Sequence, residues 1–99
     1  MKAVLLYHEK ERFQDRYLME MTIHDVGRST RYPDGIKYGL LLLDTKTGRR
    51  VLMDNHHPKG PHIHLDDVEL PYEYKSDEKL IEDFKAFVLD HMGVAIWNS

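Results

Sequence analysis

Nine residues, Ile36 to Asp44, restrict the fold of this chain more than any other stretch. Ile36, Tyr38 and Leu40 to Leu43 form a nearly continuous apolar run, with Pro33-Asp34-Gly35 before it and Thr45-Lys46-Thr47-Gly48 after it. Apolar residues at both parities of a strand-sized run imply burial on both faces, hence a central strand. Thr45 to Gly48 closes a hairpin, and Arg49 to Asp54 reads as the returning strand.

The other elements must flank this hairpin. Phe13 to Val26 alternates, with Tyr17, Met19, Met21 and Ile23 on one face and Arg16, Leu18, Glu20, Thr22 and His24 on the other, which reads as a half-buried strand. Ala3 to Tyr7 reads as a short strand-like start, His8 to Arg12 as a turn, and Gly27 to Gly35 as a loop. Ile63 begins a short edge segment. Leu70 to Tyr74 reads as an extended connector, because Pro71 bars a central strand. Ser76 then offers an N-cap, and Asp77 and Glu78 suit the positive end of a helix dipole. Leu80, Ile81, Phe84, Phe87, Val88 and Met92 recur at helical spacing and Gly93 supplies a stop, so the pattern predicts a helix over 77–92. Val94 to Trp97 is an apolar tail expected to fold back on the body. The expectation is one α+β domain over residues 1–99, an antiparallel β-meander of three or four strands packed by a C-terminal α-helix.

Composition narrows the class. The chain has 99 residues, 41% hydrophobic and 31% charged, values of a globular chain rather than a disordered one. It has no cysteine, which removes disulfides and thiolate metal sites. No apolar run approaches the roughly 20 residues needed to span a bilayer, and the first eight residues are too short for a secretory leader. A cytoplasmic protein without a membrane partner is expected. The net charge of −3 is unevenly spread. Residues 28–64 carry seven basic and three acidic side chains, net +4, and residues 65–99 carry three basic and nine acidic, net −6. The basic middle fits an anion-binding face, and it equally fits solvated strand faces.

Four of the seven histidines fall in Asp54-Asn55-His56-His57-Pro58-Lys59-Gly60-Pro61-His62-Ile63-His64. Proline and glycine make this a presented loop. His62 and His64 fall on one side of an extended chain, because side chains alternate. One reading is a metal site, since imidazole suits zinc, copper or nickel, but the spacing is not that of a stereotyped zinc motif. The other is metal-free acid–base chemistry. Imidazoles titrate near neutrality, and a histidine pair with a nearby cation is what RNA cleavage through the ribose 2′-hydroxyl requires. On this reading His62 and His64 are the acid–base pair and Lys59 stabilises phosphate charge. Lys37, Tyr38, Arg49, Arg50, His57 and Tyr72 are the candidate substrate-binding residues. Asp54, Asn55, Gly60 and Glu69 orient or shape the site. No metal or cofactor is assigned to it. A third reading is a non-catalytic RNA- or protein-binding module.

The same residues carry a family resemblance. Asp54-Asn55-His56-His57, Lys59-Gly60, His62, His64, Glu69, Pro71-Tyr72, Tyr74 and Leu80 with Asp83-Phe84 resemble the TumE family of type II toxin–antitoxin toxins. His8-Glu9-Lys10, Glu20, Pro33, Gly35 and Lys37-Tyr38 fit as well, and the match is specific from about Lys37 to Phe84. Pro61 stands where a polar residue is usual, and Tyr74 where phenylalanine is more usual. The resemblance implies a toxin held by a small DNA-binding antitoxin encoded beside it. By analogy with other small toxins it implies translation inhibition by RNA cleavage. RNA and the cognate antitoxin are thus the expected partners, and the sequence leaves open a homodimer.

Overall fold

The computed structural model describes residues 3–96, so Trp97 of the expected tail lies outside the described residues. The order of elements is β1 (Val4–Phe13), β2 (Tyr17–Asp25), β3 (Ile36–Asp44), β4 (Arg50–Asp54), β5 (His62–Leu65), β6 (Val68–Pro71) and α1 (Asp77–Met92). Each strand pairs antiparallel with the next, giving one six-stranded meander in the order β1-β2-β3-β4-β5-β6. The chain is therefore α+β, with a C-terminal helix on one sheet face. No helix among the described residues is long and apolar enough to cross a membrane.

Alternation sorts the sheet residues into a covered face and an open one. Met19, Met21 and Ile23 of β2, Tyr38, Leu40 and Leu42 of β3, Val51 and Met53 of β4, and Ile63 of β5 are buried on the covered face. Leu80, Phe84 and Val88, spaced by one helical turn each, close over them. Full burial of each such side chain stabilises the fold by about 1.5–3 kcal/mol. The helix ends are fixed as the sequence predicts. Ser76 Oγ accepts from the Lys79 N–H at 3.1 Å, and Gly93, at φ 69°, donates its N–H to the Leu89 carbonyl at 2.9 Å.

Two stretches differ from the sequence expectation. His8 to Arg12 is not a turn but the second half of β1, paired with Leu18 to Thr22. β1 is an edge strand, where charged side chains on both faces stay in water. The turn itself comes at Gln14 and Asp15, which adopt left-handed backbone (φ 56° and 48°) without glycine. Leu70, expected in a connector, belongs with Pro71 to edge strand β6, where a terminal proline costs no central ladder bond. The sheet thus has six strands rather than three or four.

Candidate functional site

Strand register decides which polar side chains share the open face. One cross-strand row runs His8, Thr22, Gly39, Asp54, His62, Pro71. The next runs Lys10, Glu20, Leu41, Leu52, His64, Glu69. His62 and His64 are therefore neighbours on β5, each with a carboxylate across from it or one strand away. Their rings meet edge to face, 4.8 Å between centroids at 82°.

The two imidazoles are held differently. The His62 side chain is only 8% exposed. Its Nδ1 lies 2.7 Å from the Gly60 carbonyl oxygen and its Nε2 lies 3.2 Å from Asp54 Oδ1. A neutral imidazole has one N–H and satisfies one of these acceptors, whereas the imidazolium satisfies both. Gly60 sits at φ 75°, a backbone that a side chain rarely adopts, and this aims its carbonyl at the ring. His64 is 21% exposed, with Nε2 at 3.5 Å from Glu69 Oε1. Lys59 reaches over from the loop to the same oxygen, Nζ to Oε1 2.7 Å. The hydrogen bond from Lys59 is the main cause that holds the Glu69 carboxyl below its ordinary range.

Beside this cluster the open face is hollowed over Gly39, which has no side chain to fill it. Thr22, His24, Lys37, Tyr38, Asp54 and His56 line one part of the groove, and Glu20, Leu41 and Leu52 line its continuation. The signal for it lay in Gly39 itself, since a glycine inside an apolar strand marks space for a close approach. Thr22 and His24 followed from the alternation of β2 but were not singled out.

The remaining candidates divide by face. Lys37 lines the groove, and Arg50 lies one row beyond His64 with its guanidinium 3.8 Å from Asp67. His57 is exposed on the loop, its N–H 3.4 Å from the Tyr32 hydroxyl. Tyr38 is buried on the covered face and stacks on Tyr74, centroids 5.9 Å apart. Tyr72 donates to Asp83 of the helix at 2.8 Å. Arg49 turns to the helix end, where it donates to the His91 carbonyl at 3.0 Å and pairs with Asp66. The sheet separates Tyr38 and Tyr72 from the histidines, so neither offers a base a stacking surface at the pair. Asn55 is buried and structural: its Oδ1 accepts from the Tyr38 N–H at 2.9 Å and its Nδ2 donates to the Ile36 carbonyl at 2.7 Å. It pins the start of the histidine loop to β3.

Comparison with protein-family models, with curated proteins and with solved structures found no match for this chain. The site must be read from its own geometry. It has a partly accessible imidazole, a second imidazole fixed between two acceptors, and one lysine held by an exposed carboxylate. That set can move protons near neutral pH and offset charge on a bound anion.

Proposed function

We propose that this protein is the cytoplasmic toxin of a type II toxin–antitoxin pair and cuts RNA through the ribose 2′-hydroxyl without a metal. The observation that carries the reading is the edge-to-face contact of His62 with His64, with Lys59 held beside them on Glu69 and with His62 facing Asp54, which lines the groove over Gly39. His64, the more accessible ring, takes the 2′-hydroxyl proton. Lys59 leaves Glu69 for a phosphate oxygen and offsets the charge of the transition state. His62 keeps a proton on Nε2, facing Asp54, as the acid for the leaving 5′-oxygen. Lys37 and His56 along the groove supply contacts to the strand, and Arg50 lies beyond. The TumE resemblance supports the toxin role and the antitoxin partner. The acidic balance of residues 65–99, net −6, suits docking of a basic antitoxin.

Two assays test this reading. Induced expression should arrest growth, and co-expression of the neighbouring gene should relieve it. The purified chain in a metal chelator should cleave RNA to 2′,3′-cyclic phosphate ends, and His64→Ala should slow this by about 10²–10⁴-fold, the usual contribution of a general acid or base. A folded His62→Ala/His64→Ala double variant that still cleaves RNA and arrests growth refutes it.

A further inference from the structure

The β5–β6 hairpin gathers more than a proton-transfer pair. His62 and His64 share one face of β5, and Glu69 stands directly across from His64 on β6. One ligand-capable atom from each of the three lies within 4.8 Å of the others. Two imidazoles and a carboxylate are a donor set that suits zinc, nickel or cobalt. With metal–ligand bonds of 2.0–2.2 Å, neighbouring ligand atoms of a tetrahedral ion stand about 3.3 Å apart. The His64 Nε2 to Glu69 Oε1 separation, 3.5 Å, already has that length. His62 is also set up as a ligand. With Nδ1 donating to Gly60 O, the neutral ring turns the Nε2 lone pair toward Asp54 Oδ1, two acceptors 3.2 Å apart. The Asp54 carboxylate thus adds negative charge beside that lone pair without being one of the three ligands. A backbone carbonyl that fixes the tautomer in this way is the usual support of a ligating histidine.

We propose that His62, His64 and Glu69 bind one divalent ion of the zinc class, and that this ion silences the ribonuclease pair. The silencing rests on the ribonuclease reading above, whereas the binding does not. The ion takes the Nε2 lone pair of His62 and one nitrogen of His64, so neither ring can carry a proton between substrate and solvent. It also displaces the Lys59 ammonium from Glu69. Lys59 is 62% exposed, so it gives up this contact to water readily. Lysine and metal are thus rivals for one carboxylate oxygen. Removing the lysine strengthens metal binding while it weakens RNA cleavage, a pair of opposite effects that loose surface histidines do not produce.

Zinc titration of the chelator-stripped full chain, followed by calorimetry and by competition with a chromophoric chelator, tests the binding half without RNA. One equivalent is expected, with a rise in Tm on saturation. Affinity should fall at least tenfold in Glu69→Gln and in His64→Ala, rise in Lys59→Met, and fall as pH drops because protons compete for the rings. Circular dichroism of each variant separates lost ligands from lost fold. Absence of a one-to-one complex overturns the proposal. So does binding that Glu69→Gln and His64→Ala leave intact, or that a His56→Ala/His57→Ala variant abolishes. RNA cleavage by the metal-free chain then tests the other half, with equimolar zinc expected to stop it. Cleavage that persists in the demonstrated zinc complex overturns the silencing. A chain that binds zinc but never cleaves RNA refutes the ribonuclease reading and leaves the metal site standing.

Discussion

Asp54 Oδ1 and His62 Nε2 face each other at 3.2 Å across the β4–β5 ladder, on the sheet face that the helix leaves open. Backbone register alone sets this pair, since the two residues are direct partners. The Gly60 carbonyl on the other side of the ring leaves His62 no freedom to turn. Asp54→Asn therefore keeps the size of the side chain but removes the carboxylate that faces Nε2. RNA cleavage should fall by about 10–100-fold, the usual cost of losing an orienting partner. Circular dichroism should be unchanged, which separates this loss from loss of structure.

Tyr38 presents the opposite situation, a polar atom with no partner. Its hydroxyl is buried among the described residues without a hydrogen bond, and burial is the main cause that pushes its ionisation well above the ordinary range. An unpaired buried polar group costs about 1–3 kcal/mol. Tyr38→Phe keeps the ring stacked on Tyr74 and removes the orphaned oxygen. The variant should unfold at higher denaturant, by about 1 kcal/mol in urea titration, with RNA cleavage unchanged in KM. A fall in stability would mean that the hydroxyl has a partner, such as an ordered water.

Asn55 links the core to the site. It satisfies the Tyr38 N–H and the Ile36 carbonyl at the start of β3. Asn55→Leu leaves both backbone groups buried and unpaired, at about 1–3 kcal/mol each. The expected result is a loss of about 2–5 kcal/mol in chemical denaturation, with faster hydrogen exchange at Tyr38. Because the histidine loop starts here, RNA cleavage should drop even at temperatures where the variant remains folded.

The parts legible in sequence were those with a clean period. Helix 77–92 declared itself through Leu80, Phe84 and Val88 and through its caps, and the β3–β4 hairpin through its leucines and Gly48. The second half of β1 was not legible, because His8 to Arg12 lacks apolar residues and an edge strand needs few. Within the site, Lys59, His62, His64, Asp54 and Glu69 do come together, and all five were legible in the sequence as candidate site residues. Tyr38 illustrates the limit. Parity placed it with Leu40 and Leu42 and against Lys37, but only the position of the helix decides which parity is covered. Arg49 and Tyr72 were out of reach for a related reason: their partners, His91 and Asp83, lie on the helix, far away in sequence.

Acid should unfold this protein earlier than its modest net charge suggests. Asp44 accepts two bonds from the Arg16 Nε and Nη2 side, at 3.0 and 2.8 Å, and two backbone N–H bonds from Lys46 and Thr47. The Arg16 contact is the main cause that holds its carboxyl far below the ordinary 3.8. Asp66, bonded to the Arg50 N–H, and Asp83, which accepts from Tyr72, are held low as well. A carboxyl whose pKa is depressed on folding contributes stability that is complete above its unfolded value. That stability is lost as pH falls through the folded value. Tm should decline as pH drops below about 4. Asp44→Asn should lower Tm at pH 7 and flatten that decline.

Gly39 offers the sharpest separation of groove from chemistry. A Cβ built there meets nothing within 4 Å, and its backbone is ordinary extended strand, so Gly39→Val fits the fold without strain. Valine also suits a strand better than glycine, which favours the folded state by a few tenths of a kcal/mol or more. The new side chain stands in the row between Thr22 and Asp54, and fills the floor of the groove. His62, His64 and Lys59 are untouched. If RNA lies along this groove, KM should rise about tenfold or more, a loss of about 1.4 kcal/mol of contact as the added isopropyl group blocks the floor, while Tm holds or increases. Zinc affinity should not change, because the metal ligands sit on the neighbouring hairpin. A Gly39→Val protein with wild-type KM would move the RNA path off this face and leave the histidine pair without its substrate channel.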